Sequence, residues 1–153
     1  MNVLFVCTGN TCRSPLAEVL MRRLLLERHL EGITVSSAGT GALAGTPASE
    51  GSYLVALEDG VDLSAHRAQA LTPELAGSAD LILTMSRSHR QRLSDLGYAD
   101  RAFLLGEYAG RSGVAAEVAD PYGGSLSDYR NTYAELKALL EPVVQRLERE
   151  RTP

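Results

Sequence analysis

A doubly wound α/β fold, a parallel sheet covered by helices on both faces in three layers, is what this sequence predicts. Three observations carry that reading. Segments of about strand length alternate with longer helical patterns, the strand candidates read as buried, and 153 residues suit one domain, 1–153, with a core of its own.

The elements follow in order. Val3 to Val6 is a short apolar run that reads as the first strand. Cys7 to Arg13 then forms a loop at the strand's carboxyl end, where open parallel sheets bind ligands. A helix from Pro15 to His29 follows, with Ser14 as its N-cap and Pro15 in its first turn, where a missing N–H costs nothing. Thr34 to Ser37 is the second strand candidate, and Gly39 to Gly45 reads as a surface loop. Pro47 to Asp59 reads as a helix, Leu81 to Thr84 as a strand, Ser86 to Leu96 as a helix and Ala102 to Leu105 as a strand. Gly106 to Ala119 lacks periodicity, so it reads as a long excursion that carries Asp120-Pro121-Tyr122-Gly123-Gly124 to the site. Ser127 to Arg149 is the final helix.

Composition bounds the function. Hydrophobic residues are 44% and charged residues 22%, ordinary globular usage, and a net charge of −4 argues against gathering nucleic acid or anionic membrane. Any anion site must therefore be local. Arg87, Arg90 and Arg92 read as a solvated helix face, not a docking patch. No run approaches membrane-spanning length and the N-terminal apolar run is too short for a secretory segment, so a cytoplasmic protein is expected. The two cysteines, Cys7 and Cys12, are too few for a disulfide scaffold and lack companion ligands for zinc, which leaves thiol chemistry.

The loop Cys7-Thr8-Gly9-Asn10-Thr11-Cys12-Arg13-Ser14 carries that chemistry. A thiolate is the nucleophilic form of cysteine, and it is favoured at a helix N-terminus beside a fixed cation. Arg13 offers a planar fork for phosphate oxygens, while backbone N–H groups from Thr8 to Arg13 can converge on the same anion. Five intervening residues let the loop wrap one tetrahedral group, with Gly9 and Asn10 suited to left-handed bends. A cysteine after an apolar strand is often only a small buried hydrophobe. Here the bend residues and the Ser-Pro helix start favour the functional reading.

Cys7 to Pro15 together with Asp120-Pro121-Tyr122 resembles the low-molecular-weight protein tyrosine phosphatase family. The likeness extends through Ser37-Ala38-Gly39, Ala65-His66-Arg67-Ala68 and the strand around Asp80 to Met85. It implies a four-stranded parallel sheet, a phosphocysteine intermediate, no metal and no cofactor. It further implies that Arg13 binds phosphate, Ser14 supports the thiolate, Asp120 is the general acid that later activates water, and Tyr122 walls the substrate cleft. His66 would brace the loop through Asn10, with Ser37 beside it. His29 and His89 lie in polar helical settings and read as surface residues.

Thr11 bears on the substrate. Tyrosine-directed members typically carry an apolar branched residue there, whereas bacterial protein-arginine phosphatases resemble this chain in Cys-Thr-Gly-Asn-Thr-Cys-Arg-Ser-Pro and in the segment Asp120 to Ser125. A hydroxyl suits the N–H-rich guanidinium of phosphoarginine better than hydrocarbon does, so phosphoarginine in phosphorylated proteins is the expected substrate and phosphotyrosine the alternative. Thr11 could equally be a near-isostere of valine with no selective role. An arsenate reductase would need relay cysteines beyond Cys12, and a non-catalytic phosphate-binding module would keep the nest and Arg13 but would not need both Cys7 and Asp120, whose joint presence argues for turnover. The thiol itself is expected to be redox-sensitive, with Cys12 the only partner to capture an oxidised Cys7.

Overall fold

A computed structural model describes residues 1–151, so the last two positions of the expected 1–153 domain lie outside the described residues. Strand β1 (Asn2–Cys7) pairs in parallel with β2 (Thr34–Gly39) on one side and β3 (Leu81–Thr84) on the other. Strand β4 (Ala102–Leu104) extends β3, giving the four-stranded order β2-β1-β3-β4.

Successive side chains of a strand point to opposite faces, so the apolar run of β1 feeds two cores. Val3, Phe5 and Cys7 pack with Leu16 and Leu20 of α1 (Arg13–Glu27) and with Leu136, Leu140 and Val143 of α6 (Leu126–Arg151). Leu4 and Val6 pack on the other face with Ile82, Ala102, Ala76 of α3 (Pro73–Ser78) and Leu93 of α4 (Arg87–Asp95). Burying side chains such as Phe5 or Leu4 this completely contributes about 1.5–3 kcal/mol each, which anchors β1 at the sheet's centre. Three layers result.

The chain leaves β1 for β2 on one side, while β3 leads to β4 on the other. The loop after β1 therefore opens at the switch point of the sheet, where a crevice forms. Register adds a constraint. Cys7 lies opposite Gly39, and a Cβ on Gly39 would stand 2.3 Å from the Thr8 carbonyl oxygen and 2.9 Å from the Asn10 nitrogen. Gly39 is thus a buried strand residue that gives the loop room, and not the start of a surface loop as expected.

Several boundaries differ from the sequence expectation. Helix α1 starts at Arg13 with Cys12 at the N-cap position, so Ser14 is inside the first turn and is not the cap. Helix α2 (Glu50–Glu58) starts later than Pro47 because the Ser49 hydroxyl accepts from the Ser52 N–H and caps it, while Pro47 bridges antiparallel to Arg67. Helix α3, capped by Thr72 with Pro73 in its first turn, was not anticipated. Nor was α5 (Leu105–Tyr108), which claims Leu105 from the expected fourth strand. Among the described residues no helix is long and apolar enough to cross a membrane.

Candidate active site

Strand β1 delivers Cys7 to the carboxyl edge of the sheet, and the bend from Thr8 to Cys12 returns the chain into α1. Asn10 takes the left-handed turn at φ +55, a conformation asparagine tolerates better than other side-chain-bearing residues. Gly9 does not share it. Asn10 is fully buried, and every polar group of its side chain is used. Its Oδ1 accepts from the Gln69 N–H at 2.9 Å, which leaves the amide nitrogen to donate to Ser14 Oγ at 2.8 Å and Ser37 Oγ at 2.9 Å. Its carbonyl accepts from His66 Nε2 at 2.7 Å.

These bonds fix a polarity. Ser37 accepts from Asn10 and donates to Glu18 Oε1 at 2.6 Å. Ser14 accepts from Asn10, so its own proton is free to point at Cys7 Sγ, 2.8 Å away. A hydroxyl donor at that distance stabilises a thiolate, and the free N–H groups in the first turn of α1 act in the same sense. Ser14 thus trades the capping role for direct contact with Cys7 Sγ.

Arg13 is only 5% exposed. Its Nη1 donates to the Val118 carbonyl at 3.0 Å, and Nη2 stands 3.6 Å from Asp120 Oδ2. Its buried Nε–H has no hydrogen-bond partner among the described residues. Because an unpaired buried donor costs about 1–3 kcal/mol, the guanidinium is arranged for an acceptor that the polypeptide does not supply. Asp120 is half-exposed, and its Oδ1 accepts from the Tyr122 N–H at 3.0 Å in a turn around Pro121. The excursion from Gly106 to Ala119 does bring Asp120 to the loop, held by the Val118 N–H to Met85 carbonyl bond at 2.9 Å.

Cys7, Thr8, Gly9, Thr11, Cys12 and Arg13 line one cleft of about 370 Å³, facing Gly41, Leu43, Thr46, Asp120 and Tyr122. Thr11 is half-buried, and its hydroxyl's contact is the Cys12 sulfur at 3.8 Å. Cys12 is buried against Ser49 and Tyr129. Tyr122 is 76% exposed at the lip. No cluster of three or more His, Cys, Asp or Glu among the described residues is placed to hold a metal ion.

Sequence reasoning missed three contributors. His89 is not a surface residue: it is 3% exposed and bonds to Thr8 Oγ1 at 2.9 Å. Burial first, then the charge of Arg13, pushes its pKa down to about 4, against the opposing pull of Asp120 and Glu117. A polar helix gave no signal for this, since α4 is polar all round except where His89 and Leu93 turn inward. Gln69, just past the Ala65-to-Ala68 segment, donates its N–H to Asn10 Oδ1 and its side-chain amide to the Ser37 carbonyl at 2.9 Å. Leu43 gave no signal, because apolar loop residues are common.

Buried donors suited to a tetrahedral anion, a buried thiol in the cleft and a carboxyl group at its lip are the arrangement of a cysteine-dependent phosphatase. Residues 2–152 match the family described as low molecular weight phosphotyrosine protein phosphatase, and the chain belongs to it. It is 40% identical to a protein-arginine-phosphatase of Bacillus subtilis, over 99% of each chain. Its fold superposes on a solved YwlE arginine phosphatase, a mutant with a phosphorylated active-site serine, at TM-score 0.92 and 39% identity, covering 99% and 98% of the two chains. It superposes at TM-score 0.89 and 40% identity on a low molecular weight protein tyrosine phosphatase from T. tengcongensis, covering 95% and 99%.

Proposed function

We propose that this chain is a cytoplasmic protein-arginine phosphatase acting as a single domain on phosphorylated proteins, without recruiting nucleic acid or membrane. The observation that carries the reading is Thr11. Thr11 lines the same cleft as Cys7 and Asp120, and its hydroxyl has only a distant sulfur contact of its own, which leaves it available to accept from a guanidinium N–H. The protein-arginine-phosphatase name of the Bacillus subtilis relative points the same way.

The chemistry then runs in two halves. The Cys7 thiolate attacks phosphorus as the P–N bond breaks, and Asp120 gives its proton to the departing guanidine nitrogen. Arg13 Nε–H and the loop N–H groups hold the phosphoryl oxygens. The resulting phosphocysteine is cleaved when Asp120, now a carboxylate, takes a proton from water, which attacks phosphorus and releases phosphate and the Cys7 thiolate.

A second reading, phosphotyrosine, draws on the apolar lip formed by Leu43 and Tyr122, both more than three-quarters exposed, which could flank an aromatic ring. A side-by-side comparison of kcat/KM on phosphoarginine and phosphotyrosine peptides separates the two. A higher ratio for phosphoarginine is expected; a preference for phosphotyrosine overturns the proposal.

A further inference from the structure

We propose that His89, outside the cleft and on a different element, is a positioning residue that holds Thr8 by a defined tautomer and so sets the first turn of the phosphate loop. It rests on the cysteine-phosphatase reading and is independent of which phosphoresidue is cleaved.

The geometry leaves one arrangement of protons. The Ser86 backbone N–H can only donate, and it reaches His89 Nδ1 at 3.1 Å, so Nδ1 must accept. Ser86 Oγ, 3.0 Å from the same nitrogen, then donates or stands by. The ring's one proton sits on Nε2, which donates to Thr8 Oγ1 at 2.9 Å. Thr8 thereby keeps its own hydroxyl proton for the cleft it lines, next in sequence to the nucleophile. The Thr8 carbonyl accepts the Gly41 N–H at 2.9 Å, which holds the backbone, and the His89 bond holds the side chain.

The surroundings hold the ring neutral. Arg13 of the loop and Asp120 and Glu117 of the acid-bearing segment are the charges that act on it, and the net result with burial favours the uncharged form. Protonation would place an N–H against the Ser86 N–H and a cation beside Arg13. His89 therefore ties together the N-terminus of α4 and the loop.

Two substitutions divide the two bonds. His89→Gln places an amide nitrogen near the Nε2 position and can keep the bond to Thr8. His89→Asn places its polar atoms near the Nδ1 position and can keep only the Ser86 contact. We expect His89→Asn to lower kcat/KM roughly tenfold, equally on a phosphoarginine peptide and an aryl phosphate, and to raise the inhibition constant for inorganic phosphate, while His89→Gln recovers most of the loss. Thr8→Val, which deletes the acceptor, should show the same deficit, and adding His89→Asn to it should cost little more. Nitrogen NMR on the wild type should find Nδ1 bare and Nε2 protonated at neutral pH. Activity that follows Asn and not Gln would make His89 only a helix cap and overturn the proposal, as would additive losses in the double variant or the opposite tautomer. Failure of the substrate reading would appear separately, in the wild-type preference.

Discussion

Asn10 Nδ2 donates to Ser14 Oγ at 2.8 Å, and that bond sets the direction of the next one, from Ser14 to Cys7 Sγ. The loop's left-handed residue and its Cys7 thiol are therefore coupled through a single hydroxyl. Ser14→Ala should lower kcat about 10- to 100-fold, since a hydrogen bond to a charged group contributes about 1.5–3 kcal/mol. Pre-steady-state measurement of the phosphocysteine burst checks this. An unchanged burst rate would show that the serine does not act on the thiolate.

Gly39 is where backbone proximity fixes residue type. Gly39→Ala would drive a methyl group into the Thr8 carbonyl and the Asn10 nitrogen, so the loop must shift. Activity should fall by more than tenfold, because small displacements of a reacting geometry are costly. Wild-type kcat/KM in a folded Gly39→Ala protein would count against a rigid loop.

Asp120→Asn tests proton donation. Losing general acid help typically costs about 10²–10⁴-fold on a poor leaving group and less on an activated aryl phosphate. Equal losses on both would mean that Asp120 serves only to hold Arg13, which it approaches at 3.6 Å.

Thr11→Ile separates selection from catalysis, since it leaves Cys7, Arg13 and Asp120 in place. We expect kcat/KM to fall for phosphoarginine and rise for phosphotyrosine, each by roughly tenfold to hundredfold. A joint fall would remove Thr11 as the selector.

Acid should destabilise the fold through His89. Its folded pKa of about 4 lies below the ordinary histidine value of 6.5, so between those limits the unfolded chain binds a proton that the folded chain does not. Stability is unaffected above about pH 6.5, falls as pH drops through the window, and levels off below about pH 4, for a loss of about 3 kcal/mol at most. Asp59, held well below the carboxylate range by hydrogen bonds from Tyr133 and Arg23, contributes stability that is present above its unfolded value near pH 4 and is lost only below it, so the two effects separate. Denaturant titrations from pH 7.5 to 4.5 should give a shallower slope for His89→Gln than for wild type; equal slopes would exclude a buried neutral His89.

The sequence by itself determined what short-range rules govern. The strand, bend and helix start around Cys7 to Pro15 were legible because turn and helix chemistry act over a few residues, and the alternation of elements specified the sheet class. Thr72-Pro73-Glu74, a cap followed by proline and an acidic residue, is an equally local signal for α3. The family likeness pointed to Asp120, His66 and Ser37, but proximity to Arg13 and Asn10 arises only when chain segments far apart in sequence meet at one edge of the sheet. The likeness also paired Ser14 with the thiol, but tertiary structure alone decided that Ser14 does not cap α1 and that His89 faces Thr8, 81 positions away. The reason is physical: a side chain's hydrogen-bond partner depends on which groups packing leaves buried without water, and packing is a property of the whole core.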